Sequence, residues 1–135
     1  MRHSRRGEWL LFAVAVAANL VLLFWPRAVG TGGVPHLDKA AHAVSFGLVM
    51  ATGVRVGLAT RPLAGLLTVH AISSEVIQHG LLEGRTGDPL DVLADLGGVA
   101  GVVLAAGAAS WSRERRRRDG HRDDRAASRR EPDAG

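Results

Sequence analysis

A set of ionisable and amide side chains interrupts an otherwise apolar sequence: Asp38, Lys39 and His42, then Glu75, Gln78 and His79, then Arg85, Asp88, Asp91 and Asp95. His, Glu and Asp are the groups that exchange protons with a substrate or hold a divalent cation. Lys and Arg are the groups that meet phosphate oxygens. Asp91 and Asp95 lie one helical turn apart, and two carboxylates so placed in a low dielectric resist joint ionisation. Either one of them holds a proton, or Arg85, Lys39, His42 or a bound cation compensates the pair. The chain has no Cys, which removes thiolate ligands, a cysteine nucleophile and disulfides. It also lacks a compact His-x-x-x-His type motif, so no metal site is assigned and no cofactor is expected.

The elements that must position these residues are apolar helices. Four stretches stand out, at 9–25, 40–59, 63–82 and 90–111, each near the 20 residues that cross a hydrocarbon core of about 30 Å. Pro26 ends the first, and a Gly-rich link runs from Pro26 to Pro35. Thr60-Arg61-Pro62 is expected to turn tightly, and Glu83 to Pro89 places Asp88 just before a helix-opening Pro89. Links this short impose antiparallel neighbours. The expected fold is an all-α four-helix transmembrane bundle over residues 1–112, followed by a disordered basic cytoplasmic tail over 113–135. The mean hydropathy of +0.09 averages these apolar stretches with the charged tail.

Of the 17 Lys and Arg residues, an arrangement with both termini inside puts Arg27, Lys39 and Arg85 outside and the rest inside, as the positive-inside rule favours. The expected location is the plasma membrane, multi-pass. An alternative reading makes Met1 to Arg6 and the first apolar run a secretory signal with cleavage near Ala28-Val29-Gly30. The formal charge of +4 comes mostly from the tail, which has no interleaved aromatics for base stacking. Lipid headgroups, rather than nucleic acid, are its expected partner.

In this orientation Asp38 opens the second helix at the outer surface and His42 lies about 6 Å deeper. Glu75, with Gln78 and His79 on its face, lies about 10 Å from the outer end of the third helix. Asp91 and Asp95 begin the fourth, so the ionisable groups share one depth in the outer leaflet. Plainer roles exist for several of them. Asp38 and Asp88 stand where helix N-caps belong, Lys39 and Arg85 suit interfacial salt bridges, and His42 suits a satisfied core histidine. His70 and Ser74 read as a hydrogen-bonding pair between helices. Arg55, about a turn from its helix end, can extend to the interface. Gly53-x-x-x-Gly57 and Gly97-x-x-x-Gly101 read as small-residue packing stripes, with the oligomeric state left open.

The order Asp38-Lys39-x-x-His42, Phe46, Glu75-x-x-Gln78, Arg85, Asp91, Asp95 and Gly98 resembles the VanZ-like family of small bacterial membrane proteins over about residues 35–105. The resemblance implies a helical membrane fold and a role at the cell envelope. The family's namesake is linked to low-level resistance to the glycopeptide teicoplanin. Where the family commonly has Asn, this chain has Asp95. The leading expectation is a noncatalytic protein whose outer pocket binds a lipid headgroup or lipid-linked cell-wall precursor. Lys39 and Arg85 would face its phosphate, and the acids an amine or hydroxyl. One alternative is an intramembrane hydrolase with Glu75 or His42 as base and Asp91 with Asp95 as acid or metal ligands. Another is proton or solute translocation, which the sparse polar residues of the inner half (His70, Ser73, Ser74 and Arg55) disfavour.

Overall fold

The structure is a computed structural model that describes residues 2–24, 36–81 and 88–128. These form α1 (Arg2–Phe24), α2 (Leu37–Arg55), α3 (Thr60–Leu81) and α4 (Pro89–Ser128), with no strand among the described residues. The all-α class stands. Arg85, the Pro26 to Pro35 link and the Ala28-Val29-Gly30 segment lie outside the described residues.

Helix ends follow local chemistry, with two departures from expectation. His36, with φ 62°, is the N-cap of α2 and gives no side-chain cap bond. Asp38 is therefore not the cap. It sits in the first helical turn, where a carboxylate still favours the exposed N–H groups. At the other end α2 stops at Arg55, before the expected Ala59, because Gly57 takes φ 96°. The Gly57 N–H then donates to the Val54 carbonyl at 3.1 Å and the Leu58 N–H to the Gly53 carbonyl at 3.0 Å, the paired bonds of a Schellman end. The turn thus falls at Val56 to Ala59, and Thr60 already belongs to α3. At α4 the expectation holds: the Leu90 N–H donates to Asp88 Oδ1 at 2.9 Å, and Pro89 occupies the first helical position.

Residues up to Val103 form one compact unit. Its core is Leu23, Phe46, Val49, Met50, Leu63, Leu67, Ala71 and Val99. α2 and α4 meet closely at Gly98, where any Cβ would run into the Ala43 carbonyl, and Gly47 faces Gly98 across the same contact. Gly53 faces Leu63 and Phe12. The two expected glycine stripes therefore do not hold as written. Gly57 caps a helix end, and Gly97 and Gly101 are exposed, with nothing within 4 Å of where a side-chain methyl would stand. Asp95 and Val99 are buried and fix which face of α4 looks inward, and at about 100° per residue Gly98 shares that face while Gly97 and Gly101 do not.

Beside this apolar core, the unit exposes many aliphatic side chains and buries several polar ones. Leu10, Leu11, Val14, Val21, Val44, Leu48, Leu66, Val69, Ile72, Val76, Leu90 and Leu93 are exposed, whereas Asn19, His42, Thr52, Ser74, Gln78 and Asp95 are buried. Two helical segments, Arg5–Phe24 and Pro89–His121, are long and apolar enough to cross a membrane, and only 11% of the apolar window of each is buried. A core helix of a water-soluble protein buries most of such a stretch. α2 and α3 fall short of that apolarity, and carry polar residues both facing inward, such as His42, Ser74 and Gln78, and exposed, such as Asp38, Arg61 and His79.

The second unit begins at Leu104. The charge of the chain from residue 113 onward predicts disorder, but α4 continues to Ser128. Arg, Glu and Ala are good helix formers. Arg118 Nε donates to Glu114 Oε1 at 3.1 Å one turn away, and the Arg115 guanidinium lies 4.0 Å over the Trp111 ring. Both contacts support continued helix.

Candidate functional site

The start of α2 and the start of α4 place one ammonium among three carboxylates. Lys39 Nζ lies 2.6 Å from Asp88 Oδ2, 3.0 Å from Asp91 Oδ1 and 3.4 Å from Asp38 Oδ2. Asp38 and Asp88 remain substantially open, with side chains 51% and 38% exposed, while Lys39 and Asp91 are at 20% and 14%. The cluster forms a polar mouth rather than a sealed ion pair. One turn along α2, His42 Nδ1 and Asp95 Oδ1 share a buried hydrogen bond of 3.0 Å. Each acid of the Asp91/Asp95 pair thus has its own basic partner, Lys39 for the first and His42 for the second. No described residue bonds His42 Nε2.

Glu75 joins this group through the backbone. Its Oε1 accepts the Asp88 N–H, fastening the start of α4 to α3. Gln78 turns elsewhere: its Nε2 donates to the Leu23 carbonyl at 3.0 Å, tying α3 to the last turn of α1. His79 is exposed. Phe46 is fully buried and stacks on His70, with ring centroids 5.4 Å apart, which makes it a packing residue. Among the described residues no group of His, Asp and Glu converges in a way that could hold a metal ion.

A second polar junction is not evident from the sequence. His70 Nε2 donates to Asn19 Oδ1 at 2.9 Å, Asn19 Nδ2 donates to Ser45 Oγ at 3.1 Å, and Ser45 Oγ donates to the His42 carbonyl at 3.0 Å. The partner of His70 is therefore Asn19 on α1, and not Ser74, whose hydroxyl bonds the Ala71 carbonyl of its own helix. Asn19 carries a detectable signal, being the one polar interruption of the first apolar run. Ser45 carries none, because a serine in a helix commonly bonds its own backbone. An Asn19→Leu substitution removes both side-chain links and leaves His70 and Ser45 short of partners. The expected loss is about 1–2 kcal/mol, read from unfolding in detergent. A loss no larger than that of Ala17→Leu, at an exposed position of the same helix, would mean the junction does not stabilise the bundle.

The charges at the mouth act on one another. Hydrogen bonds to Asp88 and then Asp91 raise the Lys39 pKa. The Asp88 carboxyl is lowered by the Lys39 ammonium and then by the Leu90 N–H, and Asp38 is lowered by the backbone N–H and then the ammonium of Lys39. Acids lowered on folding contribute stability above the unfolded value of about 3.9, and lose it as pH falls through the folded one. The raised Lys39 contributes fully below about 10.4 and loses its contribution as pH rises through its folded value. Melting temperatures of the native protein should therefore show no Lys39-dependent change between about pH 5 and 9. In Lys39→Gln the carboxylates repel instead, so acidification from about pH 7 toward pH 4 should narrow the gap to the native protein. A gap independent of pH would rule out the ammonium as the compensating charge.

Comparison of the chain with protein-family models, curated proteins and solved structures finds no match.

Proposed function

We propose that this chain is a four-span, VanZ-like protein of the plasma membrane, with both termini cytoplasmic, whose outer mouth binds the headgroup of a lipid or a lipid-linked cell-wall precursor. The membrane part of the reading is supported by the aliphatic surface of the first unit, since exposed aliphatic side chains occur on all of its helices. Inward-facing polar residues let α2 and α3 span as partners of the two more apolar helices. The distribution of Lys and Arg supports the orientation.

The observation that carries the binding reading is the Lys39 ammonium held among Asp38, Asp88 and Asp91 at a partly open end of the bundle. A ligand with both phosphate and amine can exchange with both sides of this cluster. Its phosphate takes Lys39, joined by Arg85 from the connecting segment, and its amine or hydroxyl groups take the released carboxylates. The test is binding of such a headgroup by purified protein and by Lys39→Gln, with teicoplanin susceptibility and precursor pools compared in cells carrying native protein, Glu75→Gln or Asp91→Asn. Loss of binding in Lys39→Gln supports the reading. Unchanged binding and equal phenotypes refute it.

A second reading is favoured by the His42 and Asp95 pair. A buried carboxylate on Nδ1 orients an imidazole and leaves Nε2 as a general base, the arrangement a hydrolase acting on a lipid-linked substrate requires. Turnover of such a substrate that is lost in His42→Gln, with headgroup binding retained, would select this reading. Translocation gains less support. The Asn19, Ser45 and His70 junction carries polar groups inward, but Val49, Met50, Leu63 and Leu67 are part of the buried core beyond it.

A further inference from the structure

The second unit carries a feature that headgroup binding at the outer mouth does not use. Arg113, Arg115, Arg116, Arg117 and Arg118 follow Trp111 on one continuous helix, and all of them are exposed. At about 100° per residue, Arg113, Arg117, Arg118, Arg115 and Arg116 fall near about 0°, 40°, 140°, 200° and 300° around the helix axis. The guanidinium groups therefore encircle the helix within about 7.5 Å of its length. An amphipathic helix that lies flat on a surface, or one that docks on a protein groove, presents its charges on one side. A ring of charge instead fits an environment that is anionic on every side. The acid inside the ring, Glu114, pairs with Arg118 at 3.1 Å and offsets one of the five positive charges, which leaves an excess of four over residues 111–118. Trp111 is 60% exposed, and the Arg115 guanidinium lies over one face of its indole at 4.0 Å. That combination suits the boundary between acyl chains and headgroups.

We infer that residues 111–118 form a collar that binds anionic phospholipid headgroups around α4 on the cytoplasmic surface, with Trp111 at the acyl boundary. The inference rests on α4 crossing the membrane. The ligand class is a phosphodiester lipid with net negative charge, such as phosphatidylglycerol, because guanidinium groups make paired hydrogen bonds to phosphate oxygens and the net positive ring favours a headgroup whose phosphate charge no attached amine offsets. Single-stranded nucleic acid shares the phosphate, but it needs several aromatic faces for its bases, and Trp111 is the one aromatic residue of this segment, with a guanidinium already on one face.

The test uses the full chain with Trp9→Phe and Trp25→Phe, so that Trp111 is the sole indole, reconstituted in phosphatidylcholine vesicles with a minor fraction of phosphatidylglycerol. Either lipid is brominated in turn, and quenching of Trp111 is measured at equal mole fractions. The expected result is preferential quenching by brominated phosphatidylglycerol, by at least about threefold, falling as salt rises. Replacement of the collar arginines by Gln should abolish the preference, and replacement by Lys should keep most of it. Equal quenching by both lipids, or a preference that survives the Gln variant, overturns the collar while leaving the membrane assignment intact. No quenching by either lipid overturns the membrane crossing of α4 and the collar with it. Displacement of the lipid preference by single-stranded RNA at the same salt would assign the arginines to nucleic acid instead.

Discussion

Gly98→Leu should separate α2 from α4 and cost the bundle at least about 3 kcal/mol, measured as the loss of unfolding free energy in detergent micelles. A Cβ at this position runs into the Ala43 carbonyl, and backbone cannot yield as a flexible side chain can. The displacement also pulls on the hydrogen bonds that depend on this contact, from Lys39 to Asp91 and from His42 to Asp95. The neighbouring glycines give a sharp control. Gly97→Ala and Gly101→Ala meet nothing within 4 Å and should be neutral or stabilising by up to about 1 kcal/mol, because Ala is the better helix former. If all three substitutions behave alike, the close approach at Gly98 does not hold the helices together.

The second large effect concerns His42 and Asp95. Asp95 is 1% exposed, so His42→Leu leaves a buried carboxyl without its partner, at an expected cost of about 3–5 kcal/mol. Asp95→Asn should be far milder, within about 1.5 kcal/mol, because the amide oxygen can still accept from the imidazole N–H. The His42→Leu, Asp95→Leu double substitution should cost less than the sum of the single ones, since removing both partners leaves no orphaned polar group. Additive losses in the double variant would show that the two side chains do not act as a pair.

Much of the architecture is legible in the residues, for reasons that are local. Apolar runs of helix length and the Asp88-Pro89 start of α4 depend on neighbours in sequence, and the structure keeps them. The end of α2 falls earlier than its apolar run suggests, because Gly57 takes a left-handed conformation that stops the helix instead of joining a packing stripe. Beyond Trp111 the density of charge points to disorder, whereas contacts between residues about one turn apart, Glu114 with Arg118 and Arg115 with Trp111, are consistent with helix there.

The site divides in the same way. Side-chain type and helical depth identify Asp38, Lys39, His42, Glu75, Asp88, Asp91 and Asp95 as one group, because unpaired charge is costly in an apolar run wherever the helices lie. Which acid takes which base is a different kind of fact. Lys39 to Asp91 and His42 to Asp95 join positions far apart in the chain, and their pairing depends on how α2 and α4 are rotated about their axes. The buried Asp95 and Val99 mark that rotation in α4, and the close approach of Gly98 to Ala43 is possible only in it. The same holds for Gln78, drawn to the Leu23 carbonyl, and for Asn19, which looks incidental in α1 until Ser45 and His70 are brought to it. The sequence by itself determined that polar groups must gather inside the helices. Only the tertiary structure decided their partners, because spacing along a helix fixes which residues share a face but not which face meets a neighbour.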